Sequence, residues 1–288
     1  MKPFLLISTR GEDELAAQEH ASYCHLTGLL PEDLEWRRVE REPLGPIDLD
    51  HYSGIILAGS PFTVSEPVES KSATELRVER ELSALLDEVI RRDVPFLGIC
   101  YGVGTIGAHQ GAIVDRAYGE PVEAVRVSLT EAGLADPLMR ELPNEFDAFV
   151  GHKEGISRLP GHIAVLASSP GCPVQAFRVG RNVYATQFHP ELDGATFASR
   201  IRIYADHGYF DPVELDAVVE RVENADVRAS QLVLGRFVEE YARALPDDVG
   251  SPGGADTAGP VDPAEATIVD FPAPGIGAAD APRLVPNR

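Results

Sequence analysis

Positive charge is scarce in this chain. Its 288 residues carry 25 Lys and Arg against 46 Asp and Glu, a formal charge of −21. The acidic residues are spread along the sequence, which excludes an extended phosphate-binding face of the kind that nucleic acid requires. Long apolar runs are missing too. No stretch reaches the ~20 residues that a membrane-crossing helix needs. The opening apolar run, Phe4 to Ile7, meets Arg10 and Glu12 too soon for a secretion signal and reads better as a first buried strand. Cysteine is nearly absent: Cys24, Cys100 and Cys172 form an odd count at no metal-binding spacing, which excludes a disulfide framework and fits a reducing cytoplasm. There is no G-x-x-x-x-G-K-[ST] phosphate loop. His20, His25, His51, His109, His162 and His207 fall into no ligand pattern, so no metal and no cofactor is expected.

What is present is a cysteine between glycines. Gly98-Ile99-Cys100-Tyr101-Gly102 directly follows the apolar run Val94-Pro95-Phe96-Leu97, which fits a buried strand, and precedes a segment to Gln110 that fits a helix. A cysteine at such a strand-to-helix turn is a nucleophile elbow, with flanking glycines removing Cβ atoms that would collide. The N–H groups and dipole of the following helix favour thiolate over thiol. A second segment supplies the partners that a thiol nucleophile needs. In Gln187-Phe188-His189-Pro190-Glu191, two residues of spacing along an extended chain place His189 and Glu191 on one face, with Pro190 turned away at a strand end. An imidazole base with a carboxylate to orient it completes a Cys100, His189, Glu191 triad.

These two motifs resemble the class I glutamine amidotransferases, nearest to the glutaminase part of GMP synthase. Ile55 to Pro61 resembles the strand and Gly-Gly-Pro loop of that family, and Gly151-His152-Lys153-Glu154 stands in the place of its His-Gly-Asp segment. The resemblance runs from about Phe4 to His207. It implies a flavodoxin-like three-layer α/β sandwich with a mostly parallel sheet, in which Cys100 attacks the side-chain amide of glutamine, His189 shuttles the proton and Glu191 orients it. It also implies an oxyanion site from the backbone N–H groups of Ser60 and Tyr101, with Gly59 and His152 beside the substrate. No Ser-Gly-Gly pyrophosphatase loop is found, so the ATP-dependent synthetase that would consume the ammonia is expected on a separate polypeptide.

Three departures stand out. Gly104 occupies a position where the family usually has Gln, Ser60 replaces the second loop glycine, and Lys153 replaces the glycine after His152. They leave open a partner-dependent glutaminase, a stand-alone γ-glutamyl hydrolase with the same triad, and a non-catalytic regulatory homologue. Elsewhere the pattern predicts alternating strands and helices: helix 12–27 stopped by Gly28, strands 34–39 and 54–57, helix 71–92, and strands near 122–127, 164–167, 174–177 and 183. Helices are expected at 195–207, 212–224 and 227–244, the last two packing on the domain through stripes that include Leu215, Val218, Leu232 and Phe237. The expected organisation is a catalytic domain over 1–207, a helical extension over 208–245, and a Pro-, Gly-, Ala- and Asp-rich tail over 246–288 that lacks structure.

Overall fold

The computed structural model describes residues 1–204, 212–242 and 268–271. Strand β1 (Phe4–Ser8) leads into helix α1 (Asp13–Thr27), which Gly28 ends in the left-handed conformation at φ 71°. Strands β2 (Leu34–Arg38) and β3 (Gly54–Leu57) follow, then helix α2 (Ala73–Arg92), whose first turn is fixed by a reciprocal capping box between Ser72 and Glu75. Strand β4 (Phe96–Ile99) runs into helix α3 (Tyr101–His109). The middle of the chain holds β5 (Ile113–Asp115), β6 (Glu120–Leu129), α4 (Glu131–Ala135), β7 (Glu145–His152), β8 (Gly155–Pro160), β9 (Ala164–Ser168) and β10 (Ala176–Val179). It returns through β11 (Val183–Thr186) to α5 (Gly194–Ile203), α6 (Leu215–Glu223) and α7 (Arg228–Ala242), with a last short strand, β12 (Ile268–Asp270).

The main sheet has nine strands in the order β2-β1-β3-β4-β11-β10-β9-β6-β7. From β2 to β11 every pairing is parallel, and from β11 to β7 every pairing is antiparallel. Strands β1, β3, β4 and β11 are buried along their whole length because both faces are covered, whereas the edge strand β2, Leu-Glu-Trp-Arg-Arg, is only part-buried beyond Leu34. Phe4 and Leu6 face a core completed by Tyr23 of α1 and Val233, Leu234 and Phe237 of α7. Leu5 and Ile7 face the opposite core, completed by α2 and α3. The result is the mostly parallel, three-layer α/β fold expected, carrying an antiparallel extension. A third cluster packs Phe197, Ala198 and Ile201 of α5 with α6 against Val122 and Phe149.

Several expectations are corrected. Strands β5, β7 and β8 were not anticipated: β7 pairs with β6 and turns Phe146, Ala148 and Val150 inward, while β8 pairs antiparallel with β5 in a separate three-stranded sheet. The strand expected at 174–177 begins at Ala176; Gln175 just before it donates its N–H to Ala167 O of β9 and its side-chain amide to Glu120 of β6. Leu232, assigned to the buried stripe of α7, is 49% exposed, whereas Val238 and Tyr241 are buried. Helix α7 belongs to the same apolar core as β1, with the rings of Phe4 and Phe237 at 6.1 Å. Of the tail expected to lack structure, Ile268–Asp270 pairs antiparallel with β8 and Phe271 packs on the core; the rest of it, and His207, lie outside the described residues.

Candidate active site

The elbow forms where β4 passes into α3. Cys100 has φ 52° and ψ −84°, a left-handed backbone that non-glycine residues seldom adopt, and its N–H donates to Thr186 O of β11 at 2.7 Å. The two flanking glycines are not equivalent. A Cβ on Gly98 would lie 2.8 Å from both Gly102 Cα and Ile106 Cδ1, while one on Gly102 would meet nothing nearer than Leu57 Cδ2 at 4.0 Å. The first glycine therefore allows helix and strand to touch; the second serves as the surface touched.

His189 arrives from the adjacent strand, but not in the manner expected. Strand β11 ends at Thr186, and His189 to Glu191 lie in a turn beyond it rather than in extended chain. The turn is pinned by His189 N–H donating to Phe149 O at 2.9 Å and by Ser22 Oγ donating to Glu191 O. Within it, His189 Nδ1 and Glu191 Oε1 are 2.7 Å apart, and both residues are buried. Burial alone would lower the imidazole pKa, but the Glu191 carboxylate and Cys100 outweigh it and raise it to about 9. Burial likewise pushes the Glu191 carboxyl up, and the imidazole with Arg200 overrides this to hold it at about 2. At neutral pH the pair is thus imidazolium and carboxylate.

A wider network, not foreseen from sequence, surrounds this pair. Arg200 of α5 donates from Nη1 to Glu191 Oε1 at 3.1 Å and from Nη2 to Glu19 Oε1 at 3.3 Å. Arg10, just past β1, donates from Nε to Glu19 at 2.9 Å and from Nη1 to the Tyr204 hydroxyl at 3.4 Å. Cys100, His189, Ser60, Arg10, Arg200 and Tyr204 line one opening, roofed by Val122, Phe197 and Ile201. The signal available in the sequence was position: Arg10 follows the carboxyl end of the first strand, where open α/β sheets bind ligands.

On the other side of Cys100 lies the loop after β3. Ser60 Oγ accepts from Thr9 Oγ1 at 2.6 Å and from Phe62 N–H at 3.0 Å, fixing the turn. The backbone N–H groups of Ser60 and Tyr101 have no acceptor among the described residues. A Cβ on Gly59 would come within 2.9 Å of His189 Cε1, so a glycine is needed there. Further along, Glu154 accepts from Val64 N–H at 2.9 Å and from Ser65 N–H at 2.7 Å, clamping the loop.

The remaining candidates fall away from the opening. His152 uses both ring nitrogens internally, one on Glu154 O at 2.7 Å and one on Glu120 at 2.8 Å, and does not line the opening. Its neighbour Lys153 does not line it either. Glu120, His152 and Cys172 are buried with their donor atoms within 4.8 Å of one another, a spacing compatible with a metal ion. The Glu120 carboxylate is instead engaged by His152, Gln175 and Ser169. Burial first, then the Glu120 charge, pushes the Cys172 thiol up to about 12. Cys24 is partly buried in α1 and away from the site.

Residues 30–202 match the family model described as glutamine amidotransferase class-I. The chain is 30% identical over 154 residues to the GMP synthase [glutamine-hydrolyzing] of Thermosipho africanus (strain TCF52B), covering 52% of this chain and 26% of that protein. It is 32% identical over 171 residues to the same-named protein of Pseudomonas putida (strain W619), covering 55% and 30%. The chain thus spans less than a third of the length of these curated relatives. Among solved structures, a glutamine amidotransferase from Thermotoga maritima shares the fold with a TM-score of 0.66 at 20% identity, over 85% of this chain and 100% of that one. With the family model spanning residues 30–202, more than half of the chain, the chain belongs to the class I glutamine amidotransferase family.

Proposed function

We propose that this chain hydrolyses the side-chain amide of glutamine through a thioester on Cys100. The observation that carries the reading is the meeting at one opening of an elbow cysteine and a buried imidazole held by a carboxylate 2.7 Å away. Cys100 Sγ adds to the amide carbon, and the oxygen takes negative charge facing the Ser60 and Tyr101 N–H groups. His189 gives its proton to the departing nitrogen, the carbon–nitrogen bond breaks, and ammonia leaves the thioester behind. The same imidazole, now neutral, takes a proton from water; attack on the thioester releases glutamate, expels Cys100 Sγ as the thiolate that began the cycle, and leaves His189 as imidazolium again. Glu191 holds His189 in one tautomer, and Gly59 leaves the ring room to move. His152 and Glu120 contribute by positioning Glu154 and the loop it clamps. By likeness to the relatives named GMP synthase [glutamine-hydrolyzing], the ammonia is passed on to a synthetase.

One observation favours a second reading, a γ-glutamyl hydrolase acting alone. The space beside Gly104, where the family's glutamine would grip the substrate, holds the Glu154 carboxylate, 2.9 Å from where a Cβ would stand. The test is to incubate the purified chain with a glutamine-analogue electrophile, locate the adduct by mass spectrometry, and measure ammonia from glutamine and amines from γ-glutamyl compounds. Modification of Cys100, absent in Cys100→Ala, supports the shared chemistry; the preferred substrate decides between the two readings. A folded chain with Cys100 unmodified and every amide intact overturns both.

A further inference from the structure

Arg10 is the least accounted-for charge in the opening. Its side chain is 5% exposed, yet only two of its three guanidinium nitrogens are used: Nε on Glu19 and Nη1 on Tyr204. Nη2 has no hydrogen-bond acceptor among the described residues, and it lies 3.7 Å from where a Cβ on Gly59 would stand, beside the His189 ring. Glu19, the one carboxylate that Arg10 pairs with among the described residues, is shared with Arg200. A buried cation with an idle donor aimed into a reactive cavity is matched by a small anion, and a guanidinium fork suits a carboxylate.

We propose that Arg10 Nη2 is a carboxylate anchor, so that Cys100 acts on amides that also carry a carboxylate group. This deepens the proposed function and rests on it only in taking Cys100 as the reactive thiol. The carboxylate has two possible sources: the α-carboxylate of a glutamyl group, or a carboxylate on the amine that leaves. Val122, Phe197 and Ile201 give the opening an apolar wall suited to the methylenes between the two polar ends.

The test compares alkylation of Cys100 by iodoacetate, which carries the carboxylate, and by iodoacetamide, which does not. His189 contributes equally in every variant, so the ratio of the two rates reads Arg10. In Arg10→Gln the ratio should fall by about tenfold or more, the loss expected for one charge-assisted hydrogen bond. Arg10→Lys, which keeps the charge beside Glu19, guards against a folding defect and should lose part of the ratio. In the wild-type chain, glutarate should protect Cys100 from iodoacetamide while neutral glutaramide does not. An unchanged ratio in both folded variants, or equal protection by the two compounds, overturns the anchor whatever the enzyme's substrate proves to be. If the anchor holds, glutamine against its α-amide, and γ-glutamylglycine against γ-glutamylmethylamide, identify which carboxylate it binds by the larger rise in KM. Inert amides alongside an Arg10-dependent alkylation ratio would instead remove the proposed hydrolysis and leave the anchor standing.

Discussion

The two flanks of Cys100 are built from different materials. On one side, His189, Glu191, Arg200, Glu19 and Arg10 form a buried chain of ion pairs, each side chain at most 10% exposed. On the other, the loop from Gly59 to Ser65 is held mainly by its own backbone N–H groups, through Ser60 Oγ and the Glu154 carboxylate. The first flank fixes charge, where removing one partner strands another in a low-dielectric interior. The second fixes shape, where each bond is worth a modest amount and the loop can relax. Changes on the ionic flank should therefore cost far more than changes on the loop flank.

The largest effect is expected at the reacting atom between them. Cys100→Ala should lower turnover by on the order of 10⁴-fold or more, read by ammonia release, with the fold intact. Next comes Glu191→Gln, which leaves Arg200 and the His189 imidazolium without their shared carboxylate. It should lower kcat by about 10²- to 10⁴-fold and destabilise the chain by about 3–5 kcal/mol in denaturant titration. If Glu191→Gln proves as mild as a loop substitution, the contrast between the flanks is lost.

The ionic flank also has a pH signature. The folded imidazole pKa of about 9 lies above the ordinary value of 6.5, so its stabilisation is complete below about pH 6.5 and disappears as pH rises through 9. The Glu191 carboxyl, held at about 2 against 4.5, acts in the opposite sense: its contribution is complete above 4.5 and is lost as pH falls through 2. Thermal unfolding from pH 6 to 10 should show the wild type losing stability on the alkaline side more steeply than Glu191→Gln. Turnover should decline over the same alkaline range, because a neutral His189 cannot protonate the departing nitrogen. Parallel stability curves for the two proteins would remove the imidazolium from the resting site.

How far the sequence could be read follows the same division. The elbow was legible because a strained turn demands a particular local pattern, an apolar strand followed by Gly-x-Cys, and Gly98 is required there by a 2.8 Å approach to the helix. His189 and Glu191 were legible as a pair, although a turn rather than extended chain brings them together. Arg10, Glu19 and Arg200 were not legible, since their partners lie as far as 194 residues away and no local spacing encodes the meeting. Glu154 was hidden for a related reason: it sits 50 positions beyond Gly104, and only the folded chain shows the one filling the space left by the other. Strands β1, β3 and β4 were read well from runs buried on both faces, whereas β7 and β8 were passed over because neither alternates cleanly: Phe149 is buried between Ala148 and Val150, and Arg158 stands exposed between Ile156 and Leu159.

The smallest expected effect sharpens the comparison most. Family pattern alone says that Gly104→Gln restores a missing substrate contact and raises activity. The packing says otherwise, because the new Cβ would lie 2.9 Å from Glu154 Oε1 and 3.1 Å from Val64 Cγ2. Glu154 is pinned by two N–H donors, so the carboxylate must leave the loop or the helix must shift. Overpacking of this kind costs about 1–3 kcal/mol, and a loosened loop would misplace the Ser60 N–H that the proposed reaction uses at the oxyanion. Turnover should fall by roughly fivefold to tenfold, equivalent to about 1 kcal/mol of barrier. Shortening the obstructing side chain separates the causes. Glu154→Ala alone also frees the loop, so the double variant Gly104→Gln/Glu154→Ala should be no worse than Glu154→Ala, a non-additive cycle for residues in contact. Full additivity, or a gain of activity in Gly104→Gln, would show that the loop flank is as open to a gripping side chain as the family pattern assumes.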